Sequence, residues 1–563
     1  MKRFFILINS FFSLLGGAAN TVETHYITMN DGVKLFTIVS IPEKGKKLPV
    51  VITRNPYVPK EDSDIAKSIN GYKRAKQYGY VLILQHCRGT GKSEGDFIPY
   101  VNERADGLAL LDWIRKQDFY NGEIFLSGSS YGSSVHGSYL DTISPDIKGI
   151  FWAVQITDRY NIIYRNGFLR LELHCSWYVR NYKKNSSIER NRKAANFNSF
   201  PLIGISKKIF GETVEGFESV MLHPDRNDPF WKTPGHGGGE YADALAEAKV
   251  PTLFVGAWHD IYTSGMFEMW HSLTPEHCKN CVFAVTPFDH AAMSRGKSLL
   301  PELYSPGGLL SEYVPGKPLL YRWFDHLRRG DAWEKLPKGE ITRFVLFDKK
   351  WVSSPGVGTD SVPENFYLTD KRGLSAAPVA DGKISYDYDP RNPAVFNGGC
   401  DGVFGGVAYQ DAPNSRPDIV SFVTSPFEKD MTVEGECKVK LFVSSTAPDS
   451  CFYVRLSIVK KDKTLGLRNE IDSICRTNPE FKENGEAVIN FTLAPHHFKV
   501  AKGEALRLDV SSSCFPYYQL HSNFKGNQAL QTKTQVARNT IINGKSFLSV
   551  PFSPGEKIDI KEH

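Results

Sequence analysis

The chain has 563 residues, 41% of them hydrophobic and 12% aromatic, which excludes disordered and collagen-like classes. At the usual ~100–200 residues per domain, this length holds two or three domains. Lysine and arginine (68) barely exceed aspartate and glutamate (62), so the +6 balance names no partner, and the densest basic stretch, Arg180–Lys193, is broken by Glu189 and reads as a solvated face rather than a nucleic-acid site.

The N-terminus carries Lys2 and Arg3, an apolar run from Phe4 to Leu15 broken by Asn9, Ser10 and Ser13, and then GGAAN. That pattern predicts a secretory signal peptide over residues 1–19 and hence a secreted or periplasmic protein. The run is too short to anchor in a bilayer, and no later segment reaches about 18 apolar residues, so no stable membrane insertion is expected.

From residue 20 to 157 and again from 242 to 335, short apolar runs alternate with helical patterns: VVIT at 50–53, VLIL at 81–84, IFL at 124–126, TLFV at 252–255 and VFAV at 282–285. Such uninterrupted runs are what strands buried on both faces look like, and they predict an α/β domain in two parts around a mostly parallel sheet. Ahead of the third run, Leu108, Leu111 and Ile114 recur at helical spacing. Between 158 and 241 the strand pattern stops and a helical cap is expected. From 336 to 563, strand-like runs separated by Gly, Pro, Asn and Asp predict a β-sandwich of jelly-roll type.

The third run leads into FLSGSSYGSSVHG, Phe125–Gly137, with a helix-compatible stretch behind it. G-x-S-x-G between strand and helix is the pattern of a nucleophile elbow, in which small neighbours allow a strained turn that exposes the serine hydroxyl. Of the five serines, only Ser130 has glycine at both minus two (Gly128) and plus two (Gly132). A serine hydroxyl needs a base, and the base an orienting acid, in the chain order serine, acid, histidine. The loops after the last two runs offer His259-Asp260 and Asp289-His290. Chain order selects Asp260 as acid and His290 as base, whereas His259 with Asp289 would reverse it.

Two other motifs carry less. GKS within Gln85–Phe97 suggests a phosphate loop, but His86 stands where that loop needs its first glycine. The segment HCKNC, His277–Cys281, has no second C-x-x-C to complete a metal site, and nine scattered cysteines are no disulfide framework. No cofactor and no metal are expected.

Taken together, RNPY at Arg54–Tyr57, RG…SEGDF at Arg88–Phe97, GSSY at Gly128–Tyr131, GAWHD at Gly256–Asp260 and PFDH at Pro287–His290 resemble the cocaine esterase and X-Pro dipeptidyl-peptidase family of serine hydrolases. YRWFDHLRRG at 321–330 and SSSCFPYY at 511–518 add to the likeness. The resemblance implies an α/β-hydrolase domain with inserted cap and C-terminal jelly roll, the catalytic set Ser130, Asp260 and His290, and an oxyanion hole from the Tyr131 backbone N–H and the Tyr57 hydroxyl. The chain departs from the family pattern at His86, at Ser133 and at Thr286-Pro287-Phe288. Phe288 and Thr286 are expected to reshape the pocket beside His290.

Family members that bind a free α-amine need buried carboxylates for it, in amino-acid ester hydrolases just after the catalytic aspartate. Here Ile261-Tyr262-Thr263 follow Asp260, which favours an apolar or aromatic acyl pocket with Tyr262 and Trp152 as walls. The reading is a serine hydrolase of esters or amides working through a seryl acyl-enzyme. An X-Pro type dipeptidyl-peptidase is the alternative, and an inactive glycan- or ligand-binding member is the third. The expected partner is a small ester, amide or short peptide, and a homo-oligomer is compatible with the sequence.

Overall fold

The computed structural model describes residues 21–58, 65, 75–155, 158–182, 197–232, 241–290, 318–333, 336–398, 408–461 and 463–554. The expected signal peptide and most of the basic stretch at 180–193 lie outside the described residues.

The N-terminal strands are β1 (Thr21–Thr28), β2 (Lys34–Ile41), β3 (Leu48–Asn55), β4 (Val81–His86), β5 (Tyr120–Ser129) and β6 (Ile147–Ala153). A small hairpin of β7 (Tyr164–Arg165) and β8 (Phe168–Leu169) precedes β9 (Thr252–His259), β10 (Val282–Asp289), β11 (Ile341–Val345) and β12 (Lys350–Ser354). Apart from the hairpin they form one ten-stranded sheet, in the order β1-β2-β4-β3-β5-β6-β9-β10-β11-β12. Pairing is parallel from β4 through β11 and antiparallel at both flanks. β4, β9 and β10 are buried along their whole length, as their unbroken apolar runs require.

Helix α1 (Glu103–Arg115) turns Gly107, Leu110, Leu111 and Ile114 inward, and α2 (Tyr131–Gly137) follows β5 directly. Between β6 and β9 lie α3 (Arg159–Ile163), α4 (Leu171–Asn181) and several shorter turns of helix. These share a core of their own, including Tyr164, Leu169, Phe217 and Met221, into which Tyr262 also packs. After β9 comes α5 (Thr263–Ser272).

Residues 341–354, placed in the C-terminal sandwich by the sequence reading, are instead the last two strands of the α/β sheet: β11 runs parallel to β10. The described residues from Val362 onward hold thirteen strands, antiparallel in every ladder except Gly373–Ser375 with Val420–Thr424. One apolar core runs through both parts, from Ile27 to Phe552. The buried Arg468 guanidinium donates to the Trp258 carbonyl of β9, to the Ala494 carbonyl at 3.1 Å and to the Pro495 carbonyl at 2.7 Å. The Trp258 indole in turn donates to the Phe344 carbonyl at 2.6 Å. No helix among the described residues is long and apolar enough to cross a membrane.

Candidate active site

At the end of β5 the backbone turns sharply into α2, and Ser130 takes φ 55° and ψ −130°. An L-residue there is strained, and strain of this kind costs about 1–3 kcal/mol unless the surroundings hold it. They do: the Ser130 N–H donates to the Ala153 carbonyl at 3.0 Å, while the Ser130 carbonyl accepts from Ser133 N–H at 2.8 Å and from Gln155 Nε2 at 2.9 Å. The two flanking glycines are not equivalent. A Cβ on Gly128 would lie 2.4 Å from the Gly132 carbonyl oxygen, whereas one on Gly132 would meet only Arg54 O, at 3.5 Å. Ser133, a departure from the family pattern, fits because its hydroxyl reaches the Ala153 carbonyl at 3.3 Å.

The structure brings Ser130, His290 and Asp260 together. His290 Nε2 lies 2.9 Å from Ser130 Oγ, and His290 Nδ1 lies 2.6 Å from Asp260 Oδ2. A carboxylate only accepts, so Nδ1 carries the proton and Nε2 is left to accept from the hydroxyl. The Tyr262 N–H donates to Asp260 Oδ1 at 2.6 Å, fixing the carboxylate. Burial works against charge on His290, but the Asp260 carboxylate outweighs it and raises the imidazole pKa. His259, the rejected partner, is fully buried with its ring 5.3 Å from that of His496, and burial lowers its pKa far below the ordinary value.

Tyr57 lines the cavity beside Ser130 and is 42% exposed. The Trp177 indole of α4 donates to its hydroxyl at 2.9 Å. Its oxygen therefore acts as acceptor there and its own proton is left to donate. Desolvation pushes the Tyr57 pKa up, against the pull of Trp177, the Ser130 side chain, Arg180 and the Tyr131 backbone, so the phenol stays protonated. Tyr57 and Tyr131, from which the family resemblance expects the two oxyanion donors, line the same cavity as Ser130.

These groups open into a cavity of about 550 Å³. Its apolar walls include Phe151, Ile162, Leu173, Trp177, Tyr178 and Tyr262. Tyr262 is where the sequence reading put it, its ring perpendicular to that of His290 at 5.4 Å. Trp152 is not: it is fully buried in the main core, and its neighbour Phe151 lines the cavity instead. Successive strand residues face opposite sides of the sheet, so only one of the two can reach the cavity. Phe288 is likewise buried and absent from the cavity wall; it lies within β10, two residues before the histidine. Sequence reasoning missed Trp177, Gln155 and Tyr100, which belong to no local motif. The GKS turn wraps His86: a Cβ on Gly91 would strike its imidazole at 2.2 Å, and Ser93 Oγ donates to its carbonyl at 2.8 Å.

Comparison with known proteins shows the family and the fold. Residues 31–292 match the model of the X-Pro dipeptidyl-peptidase (S15 family), and residues 331–550 match the X-Pro dipeptidyl-peptidase C-terminal non-catalytic domain. A cocaine esterase of Rhodococcus sp. (strain MB1 Bresler) is 25% identical over 562 residues, covering 91% of this chain and 94% of its own. Among solved structures, an aminopeptidase from a marine sediment archaeon superposes with a TM-score of 0.78 at 18% identity, covering 95% of this chain and 96% of that one. An α-amino acid ester hydrolase gives 0.77 at 19%, covering 97% and 98%. These two likenesses speak for the fold.

Proposed function

From a chain that belongs to the X-Pro dipeptidyl-peptidase and cocaine esterase family of serine hydrolases, we propose acyl transfer through Ser130, hydrolysing carboxylic esters or amides. The observation that carries this is the unbroken path Ser130 Oγ, His290 Nε2, His290 Nδ1, Asp260 Oδ2, with 2.9 Å and 2.6 Å at its two gaps. In this reading Ser130 Oγ attacks the substrate carbonyl while His290 takes its proton, and Asp260 stabilises the imidazolium. The oxyanion is met by the Tyr57 hydroxyl and the Tyr131 N–H, donors of a kind commonly worth about 3–4 kcal/mol each. His290 then protonates the leaving group. Water, deprotonated by the same imidazole, releases the acid and restores Ser130.

Charge around the cavity favours esters and simple acyl compounds over peptides with a free amine. Its described lining residues include Arg159 and Arg180 and no aspartate or glutamate, and Tyr262 holds the place after Asp260 that an ammonium-binding carboxylate would need. An X-Pro dipeptidyl-peptidase is the second reading, supported by the family models. Full labelling of Ser130→Ala by a fluorophosphonate probe would overturn the nucleophile assignment. Efficient cleavage of an Ala-Pro anilide with negligible turnover of p-nitrophenyl acetate would reverse the ranking of substrates. We also propose export, on the basic start and apolar run of residues 2–15; N-terminal sequencing of exported protein should begin near residue 20.

A further inference from the structure

Below the elbow lies a set of buried charges that the acyl-transfer scheme does not use. Arg54, at the end of β3, is fully buried; its Nη2 lies 3.1 Å from Glu103 Oε2 and 4.0 Å from Asp106 Oδ2. Its Nη1 donates to the Glu103 carbonyl at 2.8 Å and its Nε to Gln85 at 2.9 Å. Asp106 also accepts from Arg88 at 2.6 and 3.1 Å, and Arg88 reaches Asp31 at the surface at 2.7 Å. Alternating charges thus run from Asp31 inward through Arg88, Asp106 and Arg54 to Glu103.

At its inner end this chain meets the site twice. Glu103 Oε1 accepts from the Tyr131 hydroxyl at 2.9 Å, and that hydroxyl accepts from the Tyr100 N–H at 2.9 Å. Tyr100, held at φ 71°, lines the cavity. On the other side, the chain leaves Arg54 through Asn55 and Pro56 to Tyr57, whose N–H is held by Asn55 Oδ1 at 2.8 Å. One buried ion pair therefore anchors the strand end that carries one oxyanion donor and the side chain of the residue that carries the other.

Such a pair is a poor way to gain stability. Removing two charges from water costs several kcal/mol per ion, and a well-packed apolar pair of similar volume often does as well. What it supplies is position: Arg54 is fixed by its bonds to the Glu103 carbonyl and to Gln85, and its remaining nitrogen holds the Glu103 carboxylate by charge alone, at 3.1 Å. An oxyanion donor misplaced by about 1 Å loses much of its effect on the transition state.

We infer that Arg54 and Glu103 are positioning residues for the oxyanion hole, holding the Tyr131 N–H and the Tyr57 hydroxyl in mutual register through the Tyr131 phenol and the end of β3. This rests on the reading of Tyr57 and Tyr131 as the two donors. It makes Tyr131 bifunctional: its N–H faces the reacting carbonyl while its phenol is the handle by which that N–H is aimed.

The test compares Tyr131→Phe, which keeps the backbone N–H and deletes only the handle, with Glu103→Gln and with Tyr57→Phe as a reference for a lost donor. Each is assayed on p-nitrophenyl acetate with active sites counted by fluorophosphonate titration. Binding of a phenylboronic acid, which forms a tetrahedral adduct with the serine, is measured beside it. Tyr131→Phe and Glu103→Gln should lower kcat per titrated site by about 10- to 100-fold, leave KM within about threefold, and weaken boronate binding by the same factor as kcat/KM. A purely structural role would lower the melting temperature or the count of active sites and leave kcat per site unchanged; that result overturns the inference. If Tyr57→Phe is itself without effect, the oxyanion reading fails and takes this inference with it. If Tyr57→Phe is impaired but both other variants match wild type, the inference alone fails.

Discussion

The C-terminal ends of β9 and β10 carry the same two residue types in opposite order, His259-Asp260 and Asp289-His290, and the fold treats them oppositely. His259 and Asp289 are opposed in the ladder between the two strands and are both buried. One residue further on, Asp260 and His290 meet at 2.6 Å, and only His290 continues to Ser130. Composition cannot distinguish the two dipeptides; position relative to the strand end does. The residue still in the strand is captured by the core, and the residue just past it turns toward its counterpart, with His290 alone reaching the cavity.

Substitutions at the outer pair should break this contrast most severely. His290→Ala is expected to lower kcat/KM for p-nitrophenyl acetate by about 10⁴- to 10⁶-fold, because serine, base and acid act as a unit. Asp260→Asn, which keeps the shape but lets the imidazole adopt the wrong tautomer, should cost about 10⁴-fold in kcat. Steady-state assays on each variant, with folding checked by circular dichroism, measure both. If His259→Leu is as damaging to kcat as His290→Ala, the assignment of inner and outer residues is wrong.

The same contrast has a pH form. The proposed reaction needs neutral His290, whose pKa Asp260 raises above the ordinary value of about 6.5. Lowering the pH through that raised value should therefore cut kcat/KM about tenfold per unit, starting above pH 6.5. His259 and His496 are shifted the other way, and acid acts on them through stability. Their folded-state pKa values lie far below the unfolded value of about 6.5, so the unfolded chain binds more protons below that pH. Stability is full above pH 6.5 and is lost as the pH falls below it, by up to about 1.4 kcal/mol per unit for each histidine. Chemical denaturation between pH 5 and 8 reads this slope. The smallest expected effect is that of His259→Leu at pH 7.5: kcat within about threefold of wild type, and a shallower acid slope by one proton.

Much of this was legible in the sequence because it rests on local rules. Strands buried on both faces show as VLIL and VFAV, and an elbow shows as glycine two residues either side of Ser130. What was not legible depended on parity or distance. Phe151 and Trp152 are both apolar in a strand covered on both sides, so no pattern says which one faces the cavity. The strand ITRFV at 341–345, with Thr342 and Arg343 at its middle, sits where the strand-rich C-terminal texture begins, yet it is buried throughout because it docks beside β10. Trp177 touches Tyr57 across 120 positions of sequence, and Glu103 reaches Tyr131 across 28. Neither contact leaves a mark in its own neighbourhood.

Arg468 belongs to the half of the chain matched by a model described as non-catalytic, yet its guanidinium holds the carbonyl of Trp258, two residues before Asp260, the proposed acid. A hydrolase domain separated from its β-rich companion would lose both the donor at the Trp258 carbonyl and part of its apolar core, so the two halves are physically one working part.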